Sequence, residues 1–131
     1  MELRKKEFKF KGMVLEDLQK LNVREFAKYL RSRERRTINR QFQAIEQFVE
    51  KAKTKHANDK KIKTHIRDLI IVPELVGMSM QIYNGNTFVP VQITGEMLGH
   101  KFGEFSPTRK RINHGSAGVG STKGSKHKSK K

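Results

Sequence analysis

Apolar residues recur at helical spacing in the first half of the chain. Leu15, Leu18 and Leu21 lie behind the acidic pair Glu16 and Asp17, whose charges suit a helix N-terminus, so a short helix is expected to end near Asn22. Asn22 and Glu25 have the spacing of an N-cap and its capping-box partner, and Phe26, Tyr29 and Leu30 supply one apolar face of a second helical stretch. A third helix is the clearest. It sets Phe42, Ile45, Phe48, Val49 and Ala52 on one side and Gln43, Glu46, Gln47, Glu50, Lys51 and Lys53 on the other, and frays near His56 to Asp59. Upstream, Phe8-Lys9-Phe10-Lys11 alternates and meets Gly12, which suits either a short edge strand or an extended arm.

Near residue 62 the period shortens. Leu69-Ile70-Ile71-Val72 is a compact apolar run closed by Pro73 and reads as a strand, while Met78, Met80 and Ile82 alternate with Ser79, Gln81 and Tyr83. A second alternation follows at Thr87, Val89, Val91 and Ile93. Asn84-Gly85 between the two predicts a hairpin with a type I′ turn, in which both central residues take positive φ. Pro90 cannot donate to a ladder and marks an edge position. Thr94 is placed to cap a short helix carrying Met97 and Leu98, ended by Gly99. The expected fold is α+β: N-terminal helices within residues 16–55 packed on a small three-stranded β-sheet within residues 66–93 that contains the Asn-Gly hairpin.

Charge changes this picture from a generic domain to a binding protein. The 131 residues carry 29 Lys and Arg against 13 Asp and Glu, a net charge of +16. The excess is uneven. Residues 1–60 hold 17 basic against 9 acidic side chains, residues 61–104 hold 4 against 4, and residues 105–131 hold 8 against none. Two basic flanks around a neutral centre are the footprint of a chain that grips a polyanion from more than one side. Glu104 is the last acidic residue, and beyond Phe105 the composition is Gly, Ser, Lys and His with little that is apolar. Such a tail cannot offset its own ordering entropy and is expected to be disordered until a partner orders it. The chain therefore divides into a basic N-terminal arm (1–15), an α+β core (16–105) and a basic extension (106–131).

Other chemistry finds little support. The chain has no cysteine, which removes disulfides, thiol catalysis and Cys-ligated zinc, and fits a reducing compartment. No run of 18 apolar residues or signal-like apolar core is present, so a soluble, cytosolic protein without membrane contact is expected. His56, His65, His100, His114 and His127 show no zincin spacing, and Gly118, Gly120 and Gly124 lack the strand and helix that give a phosphate loop meaning. Glu96 and Glu104 flank His100, but a helix start and a basic neighbourhood explain them without acid–base catalysis. No enzyme activity, metal or cofactor is expected.

The like-charge runs are different, because they repel themselves unless phosphates intervene. They comprise Arg31, Arg33, Arg35, Arg36 and Arg40, then Arg109, Lys110, Arg111, Lys123, Lys126 and Lys128. Phe42 and Phe48 belong to the core stripe of their helix, whereas Phe102 and Phe105 beside Lys101 suit core or base stacking equally.

Several ordered blocks carry a resemblance: Ile62-Lys63-Thr64-His65-Ile66-Arg67-Asp68, Ile71-Val72-Pro73-Glu74-Leu75-Val76-Gly77, Tyr83-Asn84-Gly85, Phe88-Val89-Pro90-Val91, and Gly99-His100-Lys101-Phe102-Gly103-Glu104-Phe105 with Thr108-Arg109. Over about residues 24–123 the chain resembles the small-subunit ribosomal protein family numbered nineteen, in its archaeal and eukaryotic branch. The helical N-terminal extension, His65 with Arg67-Asp68, and His114-Gly115 before a Gly-rich tail mark that branch; bacterial relatives tend to carry Trp where His65 stands. The resemblance implies a structural protein of the small-subunit head. It would bind the 3′ major domain of the ribosomal RNA, pair with the head protein numbered thirteen, and lie near the intersubunit bridge and the A-site transfer RNA, toward which the C-terminal tail reaches. Lys63, Thr64, His65, Arg67, His100, Lys101 and Arg109, polar or basic where a core demands apolar residues, are then expected on one RNA-facing surface. The alternative is a free-standing basic RNA chaperone or nucleic-acid-binding regulator.

Overall fold

Phe10 and Met13 face each other across the first reversal of the chain in the computed structural model, which describes residues 6–113 and 115. Strands β1 (Lys9–Phe10) and β2 (Met13–Val14) form a two-stranded hairpin, and Lys11 and Gly12 between them have φ of 51° and 86°. The alternating segment is thus a hairpin strand, and the two positive φ values demanded by a type I′ reversal fall here. Phe10 then packs its ring 5.8 Å from that of Phe26.

Helix α1 (Leu15–Gln19) follows directly and buries Leu18. Helix α2 (Val23–Ala27) starts with the expected capping box: the Asn22 amide donates to Glu25 Oε2 at 3.1 Å. Phe26 and Leu30 go into the core, but Tyr29 faces solvent. The arginine-rich run forms a helix of its own, α3 (Ser32–Arg40), whose single buried side chain is Ile38. With so little apolar surface it gives no helical stripe to read in the sequence. Helix α4 (Phe42–Ala57) matches the strongest stripe, burying Ile45, Val49 and Ala52 and leaving Phe42 and Phe48 half-buried.

The main sheet has three strands, β3 (Ile62–Thr64), β4 (Ser79–Tyr83) and β5 (Phe88–Gln92), in that spatial order, with β3 parallel to β4 and β4 antiparallel to β5. Contrary to the sequence expectation, Leu69 to Val72 is not a strand of this sheet, and the first strand lies upstream of residue 66. All four residues are buried, so the run has no polar face to set a period, and burial alone does not separate a strand from any other enclosed segment. Its backbone pairs instead with the loop at 99–103: the Ile71 amide donates to His100 O at 2.8 Å, Gly99 to Ile71 O at 3.2 Å and Phe102 to Leu69 O at 3.1 Å.

Asn84-Gly85 also departs from the expected geometry. Among these turn residues only Gly85 has positive φ, 101°, so the type I′ turn does not form. The Asn84 carboxamide takes over: its Oδ1 accepts from the backbone amides of Asn86 at 2.9 Å and Thr87 at 2.8 Å, while the backbone amide of Asn84 donates to Thr87 O at 3.0 Å. A side chain that satisfies two loop amides holds its residue outside the left-handed region.

Short 3-10 turns at Pro73–Leu75, Gly95–Met97 and Phe102–Phe105 complete the described chain. The second stands where a capped helix is expected, and Thr94 gives it no side-chain hydrogen bond. Ile62, Met80 and Ile82 from the inner sheet face join Phe26, Ile45, Val49, the Leu69–Val72 run, Leu98 and Phe102 in one core. The α+β architecture is the expected one. The expected disorder of the tail concerns residues that lie mostly outside those described.

Candidate nucleic-acid interface

Which basic side chains are free to meet a ligand depends on what their donors already do. Arg67, at the exit of β3, turns its guanidinium inward. It donates to the carbonyls of Tyr83 at 2.6 Å, Gly103 at 2.9 Å and Ser106 at 2.7 Å, tying the sheet to the Phe102–Phe105 turn. Glycine at 103 suits this approach, because a Cβ there would lie 3.1 Å from Arg67 O, closer than most side chains pack. Ser106 is fully buried, and its hydroxyl donates to Ile82 O at 3.2 Å. Thr64 is 5% exposed, and its hydroxyl oxygen accepts from the Ile66 amide at 3.1 Å. Arg35 closes the end of α2, donating to the carbonyls of Ala27, Lys28 and Leu30 at 3.3, 3.1 and 3.2 Å. The polar groups of Arg35, Thr64 and Arg67 therefore serve the fold.

The remaining arginines of α3 converge. Positions 33, 36, 37 and 40 share one face of a helix by their spacing, opposite Ile38, which is anchored in the core. Arg33, Arg36, Thr37 and Arg40 line a cleft of about 200 Å³ together with Gln41, Asp68 and Lys101. Gln41 Nε2 donates to Asp68 Oδ2 at 3.0 Å, while its buried Oε1 has no partner among the described residues. Four cations face one carboxylate here, an arrangement that suits an anion with several acceptor oxygens. The loop at 99–103 brings Lys101 to this cleft by its pairing with the Leu69–Val72 run, a pairing no local motif encodes.

His100 stands apart from the cleft. Its Nδ1 lies 2.7 Å from Glu104 Oε2, and the other oxygen of Glu104 accepts from the Lys101 amide at 3.5 Å. Glu104 thus closes the start of the Phe102–Phe105 turn. Phe102 is fully buried, 5.4 Å from the Phe48 ring, and Phe105 lies edge-on to His100, which settles the two rings in favour of packing. Arg31 borders a different groove of about 430 Å³, together with Lys11, Tyr29, Glu34 and His100.

A second basic surface lies on the sheet. Alternation turns Lys63, Gln81, Tyr83, Phe88, Pro90 and Gln92 to the outer face. His65, just beyond β3, joins Tyr83 and Phe88 with centroid separations of 4.6 and 5.0 Å, and the two strand rings are 5.1 Å apart. Lys63 Nζ sits 5.2 Å from the Phe88 centroid. Between α4 and β3 a groove of about 270 Å³ is edged by Lys51, Lys55, Lys63 and His65. Sequence reasoning missed Tyr83, Phe88, Lys51 and Lys55. The strand alternation held the signal for the first two; the lysines are indistinguishable from a solvated helix face until β3 is placed beside them.

Arg109, Lys110 and Arg111 are exposed in irregular chain, and Lys123, Lys126 and Lys128 lie outside the described residues, as do His114 and His127. Among the described residues no group of three or more His, Asp or Glu is arranged to hold a metal, and no helix is long and apolar enough to cross a membrane. What the arrangement offers is binding: a four-cation cleft, a lysine-edged groove and an aromatic patch.

Comparison with known proteins agrees with a ribonucleoprotein component. The family described as Ribosomal protein S19 matches residues 31–114. The small ribosomal subunit protein uS19 of Methanococcoides burtonii is 43% identical over 128 residues, covering 94% of this chain and 88% of the relative. That of Methanocella arvoryzae is 44% identical over 124 residues, covering 95% and 87%. Spanning both the α3 cleft and the Arg67 tie, this match shows that the chain belongs to the ribosomal protein S19 family and is a non-enzymatic constituent of the small ribosomal subunit.

Proposed function

We propose that the chain holds folded ribosomal RNA of the small-subunit head, in the 3′ major domain, by binding phosphates and 2′-hydroxyls. The observation that carries this reading is the cleft in which Arg33, Arg36, Arg40 and Lys101 face a single carboxylate. An A-form helix hides its deep groove from side chains, so cations on a rigid helix face find phosphates rather than base edges. Arginine suits the task, since its planar fork matches two phosphate oxygens at once.

Arg109, Lys110, Arg111, Lys123, Lys126 and Lys128 then act as an extension that follows the RNA outward from the point where Ser106 is anchored. Pairing with the head protein numbered thirteen, and the approach of the extension to the A-site transfer RNA and the intersubunit bridge, rest on the family resemblance. In this reading the protein works in the cytoplasm, within the ribosome.

The test is incorporation into reconstituted small subunits, with RNA affinity measured across a salt series. Replacing Arg36 and Arg40 by Ala should weaken binding and reduce the salt slope by about one for each phosphate no longer neutralised. Unchanged affinity and slope in that double variant would overturn the cleft reading. Retention on subunits after a high-salt wash separates a structural constituent from a free RNA chaperone, which is shed.

A further inference from the structure

The rings of His65, Tyr83 and Phe88 touch one another but take no part in the hydrophobic core, which lies on the other side of the sheet. Tyr83 and Phe88 are directly paired across β4 and β5, and His65 is exposed beside them. No helix among the described residues covers this face; Lys63, Ser79, Pro90 and Gln92 around it are all exposed. A cluster that merely braced two strands would need neither an exposed imidazole from a third segment nor a cationic border. Here Lys63 reaches over the Phe88 ring, and Lys51 and Lys55 line the adjoining groove.

From this juxtaposition we infer that the outer face of the sheet is a stacking platform for an unpaired ribonucleotide base, with its flanking phosphates held by Lys63, Lys55 and Lys51. The ligand class is single-stranded or bulged RNA. Every base has a π-face that an aromatic ring accepts, whereas a continuous duplex offers such a face only at its ends. Gln81, on the same face between Lys63 and Pro90, supplies a carboxamide within the patch without fixing which base is taken. This platform rests on the RNA-binding reading but is separate from the α3 cleft, which grips phosphates without regard to pairing.

The experiment uses the full chain and two probes: a single-stranded oligoribonucleotide of about eight nucleotides carrying one central 2-aminopurine, within the range that one small domain covers, and a blunt duplex of the same length. Fluorescence of the single-stranded probe should be quenched on binding. His65→Leu and Phe88→Leu should each weaken that binding by about ten-fold, the scale of one base-on-ring stack, and relieve the quenching without changing the salt slope. His65→Phe should retain both affinity and quenching, and Lys63→Ala should lower the slope by about one. Duplex binding should respond to Arg36→Ala, and to His65→Leu only as far as the blunt ends stack, so less than the single strand does. Full quenching and affinity in both leucine variants would overturn the platform while leaving the cleft reading intact. Failure of the wild-type protein to bind either probe would overturn both.

Discussion

Arg67 and Arg36 are both arginines in basic surroundings, yet they have opposite duties. Arg67 satisfies three carbonyls from segments 16, 36 and 39 residues away along the chain. Its removal leaves those carbonyls short of a charged donor, so Arg67→Ala should destabilise the protein by about 3 kcal/mol, read as a fall in urea midpoint. Arg67→Lys should recover little of this, because an ammonium cannot span the fork. Gly103→Ala should cost about 1 to 3 kcal/mol by pressing on the same residue, whose carbonyl oxygen would be 3.1 Å from the new Cβ. Arg36→Ala should shift stability by no more than about 0.5 kcal/mol while weakening RNA binding. Sequence alone does not separate the two, since both sit in charged stretches and the partners of Arg67 are distant.

At the scale of elements, what was legible depended on whether an element keeps one face polar. Helix α4 and strand β4 each do, and their buried positions, Ile45, Val49 and Ala52 in one and Met80 and Ile82 in the other, follow their periods. The Leu69–Val72 run is enclosed on every side and shows no period, and α3 buries Ile38 alone, so its face is marked by arginines rather than by an apolar stripe. Turns add a further lesson. Asn84-Gly85 has the composition of a type I′ turn, but the Asn84 side chain caps loop amides, and the positive pair of φ angles falls on Lys11 and Gly12. Asn84→Gly should therefore destabilise the protein by about 1 kcal/mol through loss of those bonds, where a true type I′ turn would tolerate glycine there. Thermal unfolding of Asn84→Gly beside Asn84→Ala checks this; equal or higher stability of the glycine variant would contradict the Asn84 cap.

For the whole molecule, the buried Ser106 with its bonds to Ile82 and Arg67 places the end of the folded core later than charge composition suggests. Truncation after residue 108 should thus preserve the fold, whereas truncation after residue 105 should damage it, a difference readable by circular dichroism. The milder truncation removes eight basic residues. If about 6 to 8 of them meet phosphates, RNA affinity of the intact chain should fall by roughly three to four orders of magnitude between ~50 and ~200 mM salt, and the truncated chain should show a much flatter response. The sequence by itself determined the excess of positive charge, the segments that keep one polar face and the family, because net charge, periodicity and motif order are properties of the chain read in line. Only the tertiary structure decided which cations remain available. A guanidinium bonded to carbonyls is spent and one on a helix face is free, and that distinction arises only when remote loops bring their carbonyls within hydrogen-bonding reach.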